Sequence, residues 1–361
     1  MHGIPHRTLG ESDSLPRNPR NAHYDSRPQC IIVDMIADDC EKRDWWGRVR
    51  RITALGEPLL ELQPTPDRQI RLAFGGDVAN STTCLARILG TSGTEVSLVT
   101  ALGRGSYADW LRGRLKQEGI RLCEPSNEGE PGIYGLPIDP VSGSEFSYWR
   151  DDSAARRFLR SIETTQLDGL LGDSQLLIVT GITLALCSSE SFEHLCHWIG
   201  LHCNHSRVVF DCNYRRRLWA CEAEARQRIG TFEKLASVVV TGFEDEKNVW
   251  GSASPADIIR RVSKLEAEYV IRGGGEGCWV GLGENWRHIP AGTPPIVDTA
   301  GAGDAHLAGY IAARISGCPR AEAAEYGNRV AAVIIGQRGS APRAGTRLPP
   351  LPLRRCHVTA M

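Results

Sequence analysis

The chain predicts an α/β fold, a mostly parallel central sheet with a small separate β-layer, on three observations. Short apolar runs recur at residues 52–55, 96–102, 176–182, 208–211, 238–241 and 269–272, with helical stretches such as 107–118, 189–203 and 255–266 among them. Strands alternating with helices indicate parallel strands joined by helical crossovers. Second, a glycine-rich turn at residues 298–304 opens a helix, as ligand sites at the carboxyl ends of parallel strands do. Third, two stretches break the alternation, 62–74 and the hairpin 133–149 that turns at 139–143. They read as a small β-sheet lid, drawn from about 62–74 and 121–150, that excludes water from a site beneath it.

Taken in order, residues 1–25 lack hydrophobic periodicity and are expected to be disordered in part. An extension to residue 47 follows, with an apolar run at 30–36, a charged run at 38–44, and Trp45 and Trp46, which suggest docking onto a surface. The regular text begins at Val49, and the 52–55 strand leads into Gly56 and Glu57. Gly75-Gly76-Asp77-Val78-Ala79-Asn80 lies between a strand and a helix carrying Cys84, Leu85, Ile88 and Leu89. A helix from 305 to 316 shows Ala305, Ala308, Ile311, Ala312 and Ile315 on one stripe, and Gly317 and Pro319 stop it. A second helix spans 321–335, so residues 48–353 are expected to form one domain with a tail at 354–361.

Composition excludes several classes. With 42 basic and 43 acidic residues the net charge is -1, which argues against nucleic acid or an anionic membrane as the main partner and for a small molecule. Only five of the basic residues are Lys and 37 are Arg, so anion contacts fall to Arg forks. No segment approaches the ~18 apolar residues of a membrane span, and residues 1–28 have no signal-peptide apolar core. The expectation is a cytoplasmic protein. Its 12 Cys are scattered without a Cys-x-x-Cys pair and read as reduced thiols. His194, Cys196, His197, His202, Cys203 and His205 invite a zinc reading, but the apolar stripe Phe192, Leu195, Cys196, Ile199 and Cys203 puts the His residues on different sides of a helix.

The richest string is Asp298-Thr299-Ala300-Gly301-Ala302-Gly303-Asp304. Gly301 and Gly303 around Ala302 let backbone N–H groups approach an anion, and the helix that follows turns its unpaired donors and positive dipole end to the same point. A phosphate belongs there. Asp304, expected to be held ionised by that dipole, can accept a proton from a substrate hydroxyl as a phosphoryl group arrives. An ordinary capped helix after a glycine turn is the plain alternative.

With residues 75–80 added, the order of motifs resembles the PfkB carbohydrate kinases of the ribokinase fold, over roughly residues 49–345. Gly56-Glu57, Gly75 to Asn80, Val99-Thr100-Ala101-Leu102-Gly103 and the glycine-rich Asp string carry that resemblance. Tyr148-Trp149-Arg150 with Ser153-Ala154-Ala155, Gly181-Ile182-Thr183, and Asp211-Cys212-Asn213-Tyr214-Arg215 with Leu218-Trp219 make it most similar to 2-keto-3-deoxygluconate kinases.

The resemblance implies a three-layer α/β/α fold with a lid, and an ATP-dependent kinase acting with Mg²⁺ on the 6-hydroxyl of that keto sugar acid. It leaves a monovalent cation open. Asp304 is then the base, and Gly301, Ala302 and Gly303 form the anion hole. Gly75, Gly76, Asp77 and Asn80 hold the sugar, with Tyr134, Tyr148 and Arg150 from the lid. Arg150 suits a substrate carboxylate as a fork-shaped cation, while the two tyrosines read equally as aromatics packed within the lid. Asn213, Arg215, Arg272, Gly274, Gly277 and Asn328 serve the nucleotide by resemblance; Arg215 also reads as part of a solvated Arg run, and Asn328 as a surface residue. The glycines after Arg272 do not form a dinucleotide fingerprint, because residues 278–282 continue as a strand.

Departures accompany the likeness. The family's Asn-x-x-Glu element aligns with residues 242–245, where Gly242 replaces the Asn and Asp245 is the acid left to reach a metal through water. Gly105 stands where Asp is common, Arg272 replaces a Lys, and His306 replaces a Phe beside Asp304, as a packed aromatic or a titrating group. Two other functions stay open: a PfkB-type kinase for fructose, ribose or a nucleoside, and a catalytically weakened binding homologue. A homo-oligomer, dimer or larger, is expected from the lid surfaces.

Overall fold

The structure, a computed structural model, describes residues 45–65, 67–137, 146–202 and 207–352. A turn of 3₁₀ helix at Trp46–Arg48 leads into β1 (Arg51–Leu55), after which the chain leaves the main sheet for the hairpin β2 (Leu59–Pro64) and β3 (Ile70–Gly75). Helix α1 (Asp77–Leu89) returns it to β4 (Glu95–Val99), α2 (Ser106–Gln117) and β5 (Arg121–Cys123). Strands β6 (Gly132–Gly135) and β7 (Ser147–Trp149) rejoin the hairpin, and α3 (Ala154–Arg160) and α4 (Thr164–Leu171) lead back. Then come β8 (Leu176–Thr180), α5 (Gly181–Leu186), α6 (Ser189–His202), β9 (Arg207–Asp211) and α7 (Glu222–Leu235). β10 (Val238–Gly242), α8 (Phe243–Trp250), α9 (Pro255–Val262) and β11 (Glu268–Arg272) follow. The antiparallel pair β12 (Cys278–Leu282) and β13 (Asn285–Ile289) precedes the helices α10 (Ala302–Ile315) and α11 (Arg320–Ile335).

The main sheet has nine strands in the order β13-β12-β11-β10-β9-β8-β1-β4-β5, parallel from β11 to β5. Parallel strands covered on both faces need no polar face, which is why β8 is LLIVT and buried throughout. Alternate residues feed two cores. Val238 and Val240 join Leu85, Leu115 and Ile311 on one face, while Val239 joins Leu167, Leu195 and Phe232 on the other. Helices α1, α2, α10 and α11 make the first outer layer and α3 to α9 the second.

The lid is a four-stranded sheet in the order β3-β2-β6-β7, where Ile133 pairs Trp149 across an antiparallel ladder. Its bounds correct the sequence reading. Residues 121–123 pair with β4 in the main sheet, and the hairpin starts at Leu59. The strand read over 176–182 ends at Thr180, and residues 181–182 open the helix α5, which is buried nearly all round and so shows no period. Trp46 lies in the first core, with the Arg314 guanidinium 5.3 Å from its ring, so this part of the extension docks onto its own domain. The turn at 139–143 and the end of the His/Cys cluster at 203 and 205 lie outside the described residues. No described helix is long and apolar enough to cross a membrane.

Candidate active site

The carboxyl ends of β1, β8, β9, β10 and β11 deliver Glu57, Thr180, Asp211, Gly242 and Arg272 to one rim of the sheet, and the first turn of α10 rests there. Gly301 sits at φ 74°, and a Cβ on it would collide with the Ser340 carbonyl, so only glycine permits this approach. Asp298 fixes the turn from both sides, accepting from Ala300 N at 2.9 Å and Gly339 N at 3.0 Å. The first N–H groups of α10 have no partners inside the helix and face the same rim.

Asp304 receives the Asn80 amide at 2.8 Å. Arg272 stands behind it: Nη1 donates to Gly303 O at 2.9 Å, and both Nη atoms clamp Asp211 at 2.9 and 2.6 Å. The sequence expectation that the helix dipole keeps Asp304 ionised is corrected here. Burial, reinforced by the Asp77 charge and opposed by the Asn80 donor, pushes its carboxyl up to about 7. Asp77 is itself raised by burial and accepts from Asn213 Nδ2 at 3.2 Å, while Asn213, at φ 30°, places its own N–H 3.2 Å from Asp211. Asp304, Asn80, Asp77, Asn213 and Arg272 therefore come together through five named groups and Asp211.

The lid residues form a second group. Tyr134 is buried, stacks on Tyr148 at 6.0 Å, and bonds Glu61 and Ser340 through its hydroxyl. Tyr148 is 42% exposed, with Arg217 lying 5.4 Å over its ring. Arg150 is not an open fork: one Nη is bound to the buried Glu57, which also receives Ser153, and its buried Nε has no hydrogen-bond partner. Burial raises the Glu57 carboxyl, and Arg150 and Ser153 draw it back. Gly76 opens α1, and a Cβ on Gly75 would meet the Tyr134 hydroxyl and the Ser340 Oγ.

The remaining residues lie further round. Arg215 donates to Tyr214 O at 2.9 Å and stands 3.9 Å from Asp245. Asp245 is occupied as a cap, accepting from Gly242 N at 3.1 Å and Tyr214 N at 3.2 Å. Gly274 and Gly277 shape the bend between β11 and β12, and Asn328 ties α11 to the end of β13 through Pro290 O at 3.3 Å. His306 is buried with neither ring nitrogen bonded, and burial followed by the Arg272 charge pushes it down to about 3, so it packs as a neutral ring.

Sequence reasoning missed Glu61, Ser340 and the role of Asp211. A carboxylate set among leucines in Leu59–Pro64 was a readable signal, since Glu61 is fully buried. Ser340 carried none, because its partners lie 206 to 279 residues away.

Solved structures share this architecture. A 2-dehydro-3-deoxygluconokinase from Thermotoga maritima superposes with TM-score 0.66 at 22% identity, covering 81% of this chain and 95% of that one. A fructokinase from Vibrio cholerae O395, holding fructose, ADP and calcium, gives TM-score 0.67 at 19% identity over 81% and 94%. At these identities the likeness shows the fold, which is ribokinase-like. The 2-dehydro-3-deoxygluconokinase of Escherichia coli K12 is 30% identical over 299 residues, 81% of this chain and 96% of that protein. The pfkB family carbohydrate kinase profile matches residues 39–346, and the chain belongs to this family of kinases. The enzyme class, a phosphotransferase acting on an alcohol, follows from the relative and the family match.

Proposed function

We propose that this kinase transfers the γ-phosphoryl group of ATP to the terminal 6-hydroxyl of 2-keto-3-deoxygluconate or a close keto sugar acid. The observation that carries the reading is Asp304: a carboxyl raised to about 7, held by Asn80, in the first turn of a helix whose glycine opening lets backbone donors reach a phosphate. The bacterial relative named above supports the substrate. As the hydroxyl oxygen bonds to the γ-phosphorus, its proton passes to the Asp304 carboxylate and the bond to the bridging oxygen breaks, releasing ADP. In a loose transition state positioning and charge do most of the work, and the N–H groups of Gly301 and Gly303 at the helix opening meet the equatorial oxygens, the Ala300 N–H being held by Asp298.

In this reading Gly75, Gly76, Asp77, Asn80, Tyr134 and Tyr148 hold the sugar, while Asn213, Arg215, Arg272, Gly274, Gly277 and Asn328 serve the nucleotide side. Mg²⁺ would supply charge neutralisation of the phosphates. Among the described residues no cluster of three His, Cys, Asp or Glu is placed to cage a metal; Asp211 is clamped by Arg272 and Asp245 by backbone N–H groups. In this reading the ion is brought by the nucleotide phosphates, with Asp245 as the acid left to reach it through water. The catalytic domain of this reading runs over residues 48–353, extended to Trp45 and Trp46, which pack on the first core, with residues 1–44 read as an extension and 354–361 as a tail. Exposed Ile70 and Trp149 support a lid face for self-association, and a need for ATP supports a cytoplasmic location.

Coupled assays of Asp304→Asn with a panel of sugars and sugar acids test the reading. Turnover is expected to fall by about 10³-fold or more with ATP binding retained; near-normal turnover refutes it. One observation favours a second reading, a neutral-sugar kinase: Arg150 is already paired with Glu57. Arg150→Ala separates the two, because it selectively harms acidic substrates in the first and neutral and acidic ones alike in the second.

A further inference from the structure

A chain of buried polar groups runs from the lid to Asp304. Glu61 of β2 is 0% exposed, Ser340 6%, and Asn80 and Tyr134 are equally enclosed. Tyr134 bonds Glu61, Tyr134 and Ser340 oxygens lie 2.8 Å apart, Ser340 Oγ is 2.8 Å from Glu61 Oε2, and it is 3.1 Å from Asn80 Oδ1. Asn80 then passes its Nδ2 to Asp304. Two glycines make room for the chain. A Cβ on Gly75 would lie 2.5 Å from Ser340 Oγ and 2.9 Å from Glu61 Oε2, and one on Gly339 would lie 3.0 Å from Glu61 Oε1.

Counting hydrogens shows what the chain does. Four oxygen–oxygen contacts join Tyr134, Ser340, Glu61 and Asn80, yet an ionised Glu61 leaves only two hydroxyl hydrogens to fill them. A protonated Glu61 supplies a third. Hydrogens can then run in one direction, from Glu61 to Tyr134, from Tyr134 to Ser340, and from Ser340 to Asn80 Oδ1. Burial raises the Glu61 carboxyl, donors from Gln63 and from Ser340 draw it back, and the Asp298 charge adds a last, smaller push upward. The direction matters because Asn80 has an acceptor end and a donor end. With Oδ1 bound by Ser340, the donor end must face Asp304; a flipped amide would set its oxygen against the carboxylate.

We propose that Glu61 and Ser340, with Tyr134, are positioning residues that fix the Asn80 amide and through it the charge state of Asp304, so that a lid strand governs the base. The proposal rests on Asp304 being that base. Asp304 is faced by Asp77 and Asn80 from α1, by Asp211 at the end of β9 and by Arg272 at the end of β11. Glu61 is faced by Gln63 on its own strand, Tyr134 of β6, Ser340 and Asp298. Replacing Ser340 removes none of the charged groups that face Asp304, so a shift in the Asp304 titration reports on the amide and on the Glu61 carboxyl that Ser340 also touches.

The experiment is the pH profile of kcat for the wild type, Ser340→Ala, Glu61→Gln and Glu61→Leu, on whichever sugar acid is turned over, with thermal melts of each. Activity requires ionised Asp304 and falls as pH drops through its titration. Freeing the Asn80 amide raises the proton affinity of Asp304, so in Ser340→Ala and Glu61→Leu the acid limb moves up by about 0.5–1 pH unit. Glu61→Gln keeps a donor and stays within about 0.3 unit of wild type. A folded Ser340→Ala with its limb unmoved overturns the proposal. Should that variant melt early, Tyr134→Phe, which removes one link, takes its place: an upward shift of the limb supports the proposal and an unmoved limb overturns it. Full activity in Asp304→Asn would instead overturn the reading beneath the proposal, a distinct outcome.

Discussion

Arg261 and Arg272 each clamp a buried carboxylate with two nitrogens, yet their surroundings leave the acids nearby in opposite employment. Arg261 reaches Glu233 at 2.8 Å through both Nη atoms and Glu246 at 2.8 and 2.9 Å, with the Trp250 ring 4.6 Å below. Both acids there are tied to the same cation. Arg272 binds one acid, Asp211, and gives its remaining contact to a carbonyl, Gly303 O, so that Asp304 is left with a neutral amide. Burial lifts Glu246 and Asp304 alike to about 7. A raised carboxyl therefore does not mark a catalytic site by itself. Both acids stand in the first turn of a helix behind a glycine, but Gly301 takes a left-handed φ of 74° and presses on another backbone, whereas Gly242, at φ -97°, has its N–H capped by Asp245.

Replacing the two arginines should break the comparison most sharply. Arg261→Met strands two buried carboxylates and is expected to cost about 3–5 kcal/mol in urea unfolding, while kcat of the folded fraction stays within about twofold. Arg272→Met should do the reverse in emphasis: kcat falls about 10²-fold as the Gly303 turn loosens, and a loss of stability without any loss of kcat would refute its placement behind the base. Asp304→Asn and Glu246→Gln sharpen the likeness that remains. Each acid keeps its proton in the folded state up to about pH 7, whereas the unfolded chain releases it near 4. The stability that burial of the neutral acid contributes is thus complete at low pH and is lost as pH rises through that window. Asp304→Asn should raise Tm by about 2–4 °C at pH 8.5 and leave it nearly unchanged at pH 4. Glu246→Gln should gain less, because the rise from the ordinary glutamate value is smaller and the change withdraws a charge from Arg261, and it should leave kcat alone; a gain larger than that of Asp304→Asn would overturn the comparison.

The parallel sheet was legible because strands buried on both faces, such as Val238–Gly242, carry their period in the simplest form, an unbroken apolar run. The glycine turn was legible because the geometry it needs, a left-handed residue pressed on another backbone, is available to few residues besides glycine. What stayed hidden depends on distance along the chain. Arg150 reads as a fork for a ligand until Glu57 is seen beside it, and 93 residues separate the two. Glu61 among its leucines signals burial, but its partners Tyr134 and Ser340 come only when β6 and the loop after α11 close over it. Local pattern tells which way a side chain faces; it does not tell which partner satisfies it. The charge on Asp304 escaped for the same reason, since the dipole is local but Asp77 and Asn80 lie more than 200 residues away.

The contact of Ser340 with Gly301, Glu61 and Asn80 has a consequence for how the enzyme comes into being. As the chain is made from its N-terminus, both sheets and the whole of α10 precede residue 339 in synthesis, yet Asp298 lacks one of its two donors and the glycine turn its backing until residues 339–340 arrive. On the proposed role of Asp304, catalytic competence is thus a late event in biosynthesis, and a chain cut short in α11 lacks the residues that back the glycine turn.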